Sequence, residues 1–514
     1  MHRRIILCCM FLLLTLACRW GSVSLVREQD NTPTVVVTSE GQGAIVQVSP
    51  PTSTPQKTQP NPVETLPTPT PQAAIPAMPL PTPPNQLVEF YTVKPGDTLG
   101  GISFAYDIGL EELTALNNLD PASAIIQVGQ TINVPLRVSR TGPLVTLIPD
   151  SEVVYSPAYV DFDVDAFIQS QGGYLATYRE RVNGVELDSA EIINRLARQF
   201  SVGPRVILAL MEYYSGWVTE PNPTELNQAM GPANPFGENL FLQISWTANR
   251  LNEGYYRYKR SGSIAVRFRN GSRAIVPYGM NAGTVALQNT LAVHTNWQEW
   301  QTQVQPTGFM QTYRDLFGEP ETYVVAPVVP LGLAQPPMRL PWRSGTSFYF
   351  TGGPHAAYGE GSAWAAIDFG PPDVLGSCFY SNEPLAAVAD GRLFLGRRGE
   401  MYLDLDNDGN LQTGWVILYL HAVASDAVRS GEQVTAGTPL GFASCEGGRS
   451  TSSHLHLARR YNGEWIAADG PVPFTLSGWQ VYSAVGEYNG EMIRDGVVKT
   501  ACECWGDDNK LLAE

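Results

Sequence analysis

Of the six histidines in the chain, four lie between positions 355 and 456: His355, His421, His454 and His456. In Ser453-His454-Leu455-His456-Leu457 the alternating apolar residues read as a strand. Side chains at i and i+2 of a strand share a face, so both imidazoles project into one pocket while Leu455 faces away. His421 closes a second apolar run, Gly414 to Leu420; Asp368 lies in a third, Ala363 to Phe369; His355 follows Gly352-Gly353-Pro354. Neutral imidazole and carboxylate are zinc donors, and a catalytic zinc takes three protein ligands with a fourth position left for chemistry. Five such residues supply three ligands and two free histidines, an inventory that suits a zinc enzyme.

The elements that must position these groups are β-rich. The runs named above and Leu385 to Phe394 combine β-branched and aromatic residues with Gly/Pro punctuation, which predicts an antiparallel sheet or small barrel. The chain here resembles the lysostaphin-like (LytM-type) family of cell-wall zinc metallopeptidases. The resemblance spans roughly 345–470 and includes Glu383 to Gly391 and Val434 to Gly441 as turn motifs. It implies an all-β domain over 340–485, a zinc cofactor, Asp368 and His456 as ligands, and His421 and His454 flanking the reacting water and the oxyanion. Relatives place three residues between the first ligand histidine and the aspartate, where this chain has Trp364. His355, with twelve residues between it and Asp368, takes that role if an insertion folds the Gly-rich segment back onto the site. Residues 486–514 are expected as a C-terminal tail.

Asp404-Leu405-Asp406-Asn407-Asp408-Gly409 resembles half of a calcium loop, but its twelfth position is Trp415 rather than glutamate, so an acidic hairpin turn is expected. Four cysteines follow Cys18, an even number that suits disulfides in an exported chain. They admit three pairings. Cys378 with Cys445, inside one domain, is preferred, and it leaves Cys502 to Cys504.

The region 160–335 reads as mainly helical. Asp188-Ser189 precedes Ile193, Leu196, Ala197 and Phe200 at helical spacing, and a second helix opens at Pro204. Pro204 to Gly216 and Phe241 to Ser245 resemble the lysozyme-like lytic transglycosylases. In that family the catalytic glutamate directly precedes a serine; here Tyr214 precedes Ser215 and the nearest acid is Glu212. A degenerate, non-catalytic lysozyme-like domain is therefore expected, with His294 structural.

Residues 89–136 read strand, helix, helix, strand. Tyr91-Thr-Val-Lys-Pro-Gly-Asp-Thr-Leu99, Leu116-Asn117-Asn118-Leu119 and Val128-Gly129-Gln130 resemble a LysM module of βααβ fold, which implies binding to the N-acetylglucosamine of peptidoglycan. Before it, residues 19–88 are rich in Pro and Thr and too poor in aromatics to bury a core, so they read as a disordered linker.

The first 18 residues, a basic start and the apolar run Ile5 to Ala17, read as a secretion signal. Thr15-Leu16-Ala17-Cys18 also resembles a lipobox, so plain export and a lipid anchor at Cys18 both stay open, in the envelope or outside the cell. A net charge of −16 argues against nucleic acid as a partner. Two functions follow as expectations: an exported zinc endopeptidase of peptidoglycan targeted by LysM, or an inactive LytM-type regulator or scaffold of other wall hydrolases.

Overall fold

The computed structural model describes residues 87–514, apart from 106–109, 121–124, 137, 142–144 and 375. The signal, Cys18 and nearly all of the linker lie outside the described residues. Among the described residues no helix is long and apolar enough to cross a membrane.

The LysM segment pairs β1 (Leu87–Thr92) antiparallel with β2 (Thr131–Leu136), and α1 (Leu99–Ala105) and α2 (Leu110–Leu116) lie between them. Val93, Ile102, Leu113, Ile132 and Val134 form its small core. Thr98 Oγ1 caps α1 by accepting from Gly101 N at 3.0 Å. Asn117 clamps the module: its Nδ2 donates to Asn133 O at 2.7 Å and its Oδ1 accepts from Asn133 N at 2.6 Å.

The helical unit begins before 160, because the Ile148 and Val153 side chains are already buried in its core. Its α3 (Ser189–Phe200) opens with the capping box of Asp188 and Glu191 and buries Ile193, Leu196 and Ala197. Proline starts α4 (Pro204–Ser215), where its missing N–H costs nothing. The long α5 (Leu240–Ser261) crosses α6 (Ala282–Ala292), and Gly254 permits the contact, since a Cβ there would come 2.7 Å from Ala286 Cα.

The C-terminal sheet has the strand order β8-β5-β6-β7-β9-β4-β3-β10. These strands are β3 (Ser347–His355), β4 (Ala366–Gly370), β5 (Gly391–Leu395), β6 (Glu400–Asp404), β7 (Trp415–Leu420), β8 (Glu432–Val434), β9 (Leu455–Tyr461) and β10 (Lys510–Leu512). Every residue of β7 is buried, which explains an apolar run without polar alternation: both faces are covered. Ile417, Tyr419 and Leu457 join a core within the β-region, whereas Val416, Leu418, Leu420 and Ala458 join the core of the helical unit. The two regions therefore share a hydrophobic layer. Buried Arg460 crosses it, donating to Arg198 O at 2.8 Å and to Leu411 O at 3.1 Å.

The expectation of a tail over 486–514 is corrected. Leu511 is buried opposite Phe348, and β10 closes the sheet edge beside β3. The tie extends to Asn509, whose Nδ2 bonds the carbonyls of Cys502 and Cys504. Cys378 is bonded to Cys445 and Cys502 to Cys504.

Candidate metal centre

The sheet register sets the site. His456 on β9 stands directly opposite Asp368 on β4, and Asp368 in turn faces Gly352 on β3. Register shifts on either side of Gly352 carry β3 out of step, so that His355 comes to pair with Ala366. Bulges of this kind re-aim a side chain, and His355 thus sits at the end of a strand rather than in a loop. Glycine is needed at 352, where a Cβ would lie 2.7 Å from Asp368 Oδ2.

His355 Nε2 and His456 Nδ1 lie 2.9 Å apart, and each is 3.3 Å from Asp368 Oδ1. The far side of each ring is committed to a backbone carbonyl, which can only accept: His355 Nδ1 donates to Gly353 O and His456 Nε2 to Ala357 O, both at 2.8 Å. With both rings neutral, as zinc ligation requires, the two facing nitrogens are left with lone pairs. Asp368 Oδ1 is buried and has no hydrogen-bond partner among the described residues. Three acceptors thus converge with no donor of their own between them, a set that a cation satisfies at once. Their spacing also fits zinc, because ligand bonds of about 2.0–2.1 Å in a tetrahedron put neighbouring donors about 3.3 Å apart.

His421 follows β7 with a φ of +58°, a left-handed placement that a non-glycine side chain seldom adopts and that clusters at functional sites. Its Nδ1 donates to Glu446 O at 2.8 Å, leaving Nε2 as the free nitrogen. Burial, with the neighbouring His454 and His456, pushes its pKa down to about 3, so the ring stays neutral. The His454 ring is 4.5 Å away; its Nδ1 donates to Ser452 O at 2.8 Å and its Nε2 lies 3.8 Å from Asp368 Oδ1. The Cys378–Cys445 bridge and the Ser453 hydroxyl, which donates to Phe379 O at 2.6 Å, hold the segment that carries His454.

All five residues singled out in the sequence line one cleft of about 750 Å³. Sequence reasoning missed the part of the lining formed by Glu487, Tyr488, Glu503 and Trp505. Tyr488 stacks on His355 with centroids 4.2 Å apart, and its carbonyl accepts from Gly353 N. Nothing in the local pattern of 486–514 links it to histidines more than thirty positions upstream.

The other candidates have structural occupations. Glu212 accepts from Val218 N, Thr219 N and the Thr219 hydroxyl, which uses both carboxylate oxygens to cap the following turn. His294 is buried, accepts from Ala233 N at 3.1 Å and is pushed down to about 4 by burial. Trp364 lies against Arg260 of the helical unit. The carboxylates of Asp404, Asp406 and Asp408 gather in the hairpin between β6 and β7, where Asp404 accepts from the Asp406 and Gly409 backbone and Asp408 from Asn410 N.

Two families match segments of the chain: the LysM domain over 91–135 and the LasA N-terminal domain over 146–330. The second is the helical region expected as a degenerate lysozyme-like domain. The chain is homologous to Protease LasA of Pseudomonas aeruginosa, 27% identical over 302 residues that cover 55% of this chain and 68% of the relative. Among solved structures it is similar to the M23 metalloprotease pseudoalterin from the deep sea, with 22% identity, 32% of this chain and 94% of the other covered, and a TM-score of 0.27. It is also similar to the catalytic domain of lysostaphin from Staphylococcus simulans, with 20% identity, 24% and 88% covered, and a TM-score of 0.17.

Proposed function

We propose that this metalloendopeptidase holds one zinc ion on His355, Asp368 and His456 and cuts peptide bonds in peptidoglycan, to which its LysM module tethers it. The observation that carries the reading is the convergence of three buried acceptors at 2.9–3.3 Å with no donor between them. The regulator reading depends on a lost ligand, and the presence of His355 in this cluster supports the enzyme instead. When bound, zinc supplies Lewis acidity and makes water a nucleophile near neutral pH.

The protein's own part falls to His421 and His454. Each has its Nδ1 committed to a carbonyl, so each keeps Nε2 to accept the proton of the attacking water. The nitrogen that takes this proton becomes a donor, which stabilises the oxyanion or protonates the departing amine. The LysM module recognises glycan through neutral polar contacts, which suits a chain of net charge −16. Tethering raises the local concentration of peptide crosslinks. The N-terminal pattern supports export to the envelope or beyond.

The expected result for His421→Gln is a loss of roughly 10²- to 10⁴-fold in kcat on purified crosslinked peptidoglycan, with zinc content unchanged. Digestion within a few-fold of wild type would remove His421 from the reaction.

A further inference from the structure

The segment from Ala356 to Ala365 is the loop that joins β3, which ends at His355, to β4, which carries Asp368. At one end it touches the metal cluster, where Ala357 O accepts from His456 Nε2 at 2.8 Å and fixes that ring's orientation. The residues just beyond are gripped by the helical unit. Tyr358 stands edge-on to Phe200 of α3, with centroids 5.0 Å apart. Gly361 N donates to Asn249 Oδ1 of α5 at 3.2 Å. The approach needs glycine: a Cβ on Gly359 would lie 2.4 Å from Asn249 Oδ1, and one on Gly361 would lie 2.1 Å from Asn249 O.

A second arm leads to His421. Gln199 of α3 donates to Glu400 Oε1 at 2.6 Å, and the Tyr358 hydroxyl reaches the same oxygen at 3.4 Å. Glu400 pairs with Arg397 at 2.6 Å, and Arg397 bonds Gly447 O, next to the Glu446 carbonyl that orients His421.

We infer that the helical unit sets the geometry of the metal centre through this loop. Asn249, Phe200 and Gln199 are positioning residues for His456 and His421, although none of them lines the cleft. The inference rests on the zinc reading of the site. Its physical basis is twofold. The carbonyl that orients a ligand histidine is worth roughly 10- to 100-fold in metal affinity. A loop carrying that carbonyl keeps it in place only while its own backbone freedom is suppressed, and here the suppression comes from α3 and α5.

The test uses the full chain and two readouts besides activity: the zinc Kd from chelator competition, and the visible spectrum of the cobalt(II)-substituted protein. Both are taken where circular dichroism shows the fold intact. Gly361→Ala wedges the loop off α5 and is expected to raise the zinc Kd roughly 10- to 100-fold and shift the cobalt bands. Asn249→Ala is expected to weaken zinc by a smaller factor, and Asn249→Asp, which keeps the acceptor oxygen, to restore it.

A folded Gly361→Ala protein with wild-type Kd and spectrum would overturn the inference. If Gly361→Ala does not fold, equal Kd values for the two Asn249 variants would overturn it as well. Loss of zinc in His355→Ala beside unchanged binding in Gly361→Ala would sink the coupling and leave the site standing. A wild-type chain that takes up no zinc would remove the site itself, and the coupling with it.

Discussion

Alanine at position 355 is expected to strip the protein of zinc and abolish peptidoglycan hydrolysis while leaving it folded. His355 supplies one of three converging atoms, and its other polar tie among the described residues is the bond from Nδ1 to Gly353 O. Loss of an outer-shell partner alone costs roughly 10- to 100-fold in metal affinity, and loss of a direct ligand must cost more. The effect on the fold is smaller, because β3 is held on both sides by β4 and β10. Metal analysis and thermal melting of His355→Ala beside His294→Ala separate the two effects. His294 is buried in the helical unit away from the cleft, so its variant should keep zinc and lose stability. Zinc retained in His355→Ala would refute the ligand assignment.

The second large effect concerns the segment 340–514 produced alone. Read from sequence, it is a self-contained peptidase domain; the packing predicts that it will be insoluble or unfolded. Cutting away the helical unit uncovers Tyr402, Val416, Leu418, Leu420, Ala458 and Trp465 on one face of the sheet. At roughly 1.5–3 kcal/mol for each large side chain, their exposure costs on the order of 10 kcal/mol, comparable to the whole stability of an ordinary domain. Arg460 would also lose the Arg198 carbonyl and the Ser201 hydroxyl. Expression of 340–514 beside 146–514, compared by soluble yield and melting temperature, checks this. A soluble, cooperatively melting 340–514 would show that the shared layer contributes little.

The residues of the candidate site were legible for identifiable reasons. The two-residue period of a strand put His454 and His456 on one face, and an acid within a neighbouring apolar run made Asp368 available. The helix of 189–200 was equally plain, because its capping residues and its apolar spacing agree. What sequence alone did not yield depends on contacts between distant segments. The bulge that aims His355 arises from the pairing of β3 with β4, and no local pattern announces it. An unbroken apolar run such as Trp415 to Leu420 says that both faces are covered without saying by what. A strand as short as Lys510–Leu512 carries too few residues to show any period, so the segment behind it read as a tail. The loop clasp was hidden for the same reason: Gly359 and Gly361 look like ordinary turn residues until α5 is seen against them.

Zinc on His355, Asp368 and His456 is proposed to drive cleavage of wall peptides. The direct measurement is metal content of the purified full-length protein together with release of new amino termini from crosslinked peptidoglycan, before chelation, after it, and after zinc is restored. One zinc per chain is expected, with release that stops on chelation and recovers when zinc returns. Release that continues in metal-free protein, or a chain that carries zinc and frees no amino termini, would contradict it.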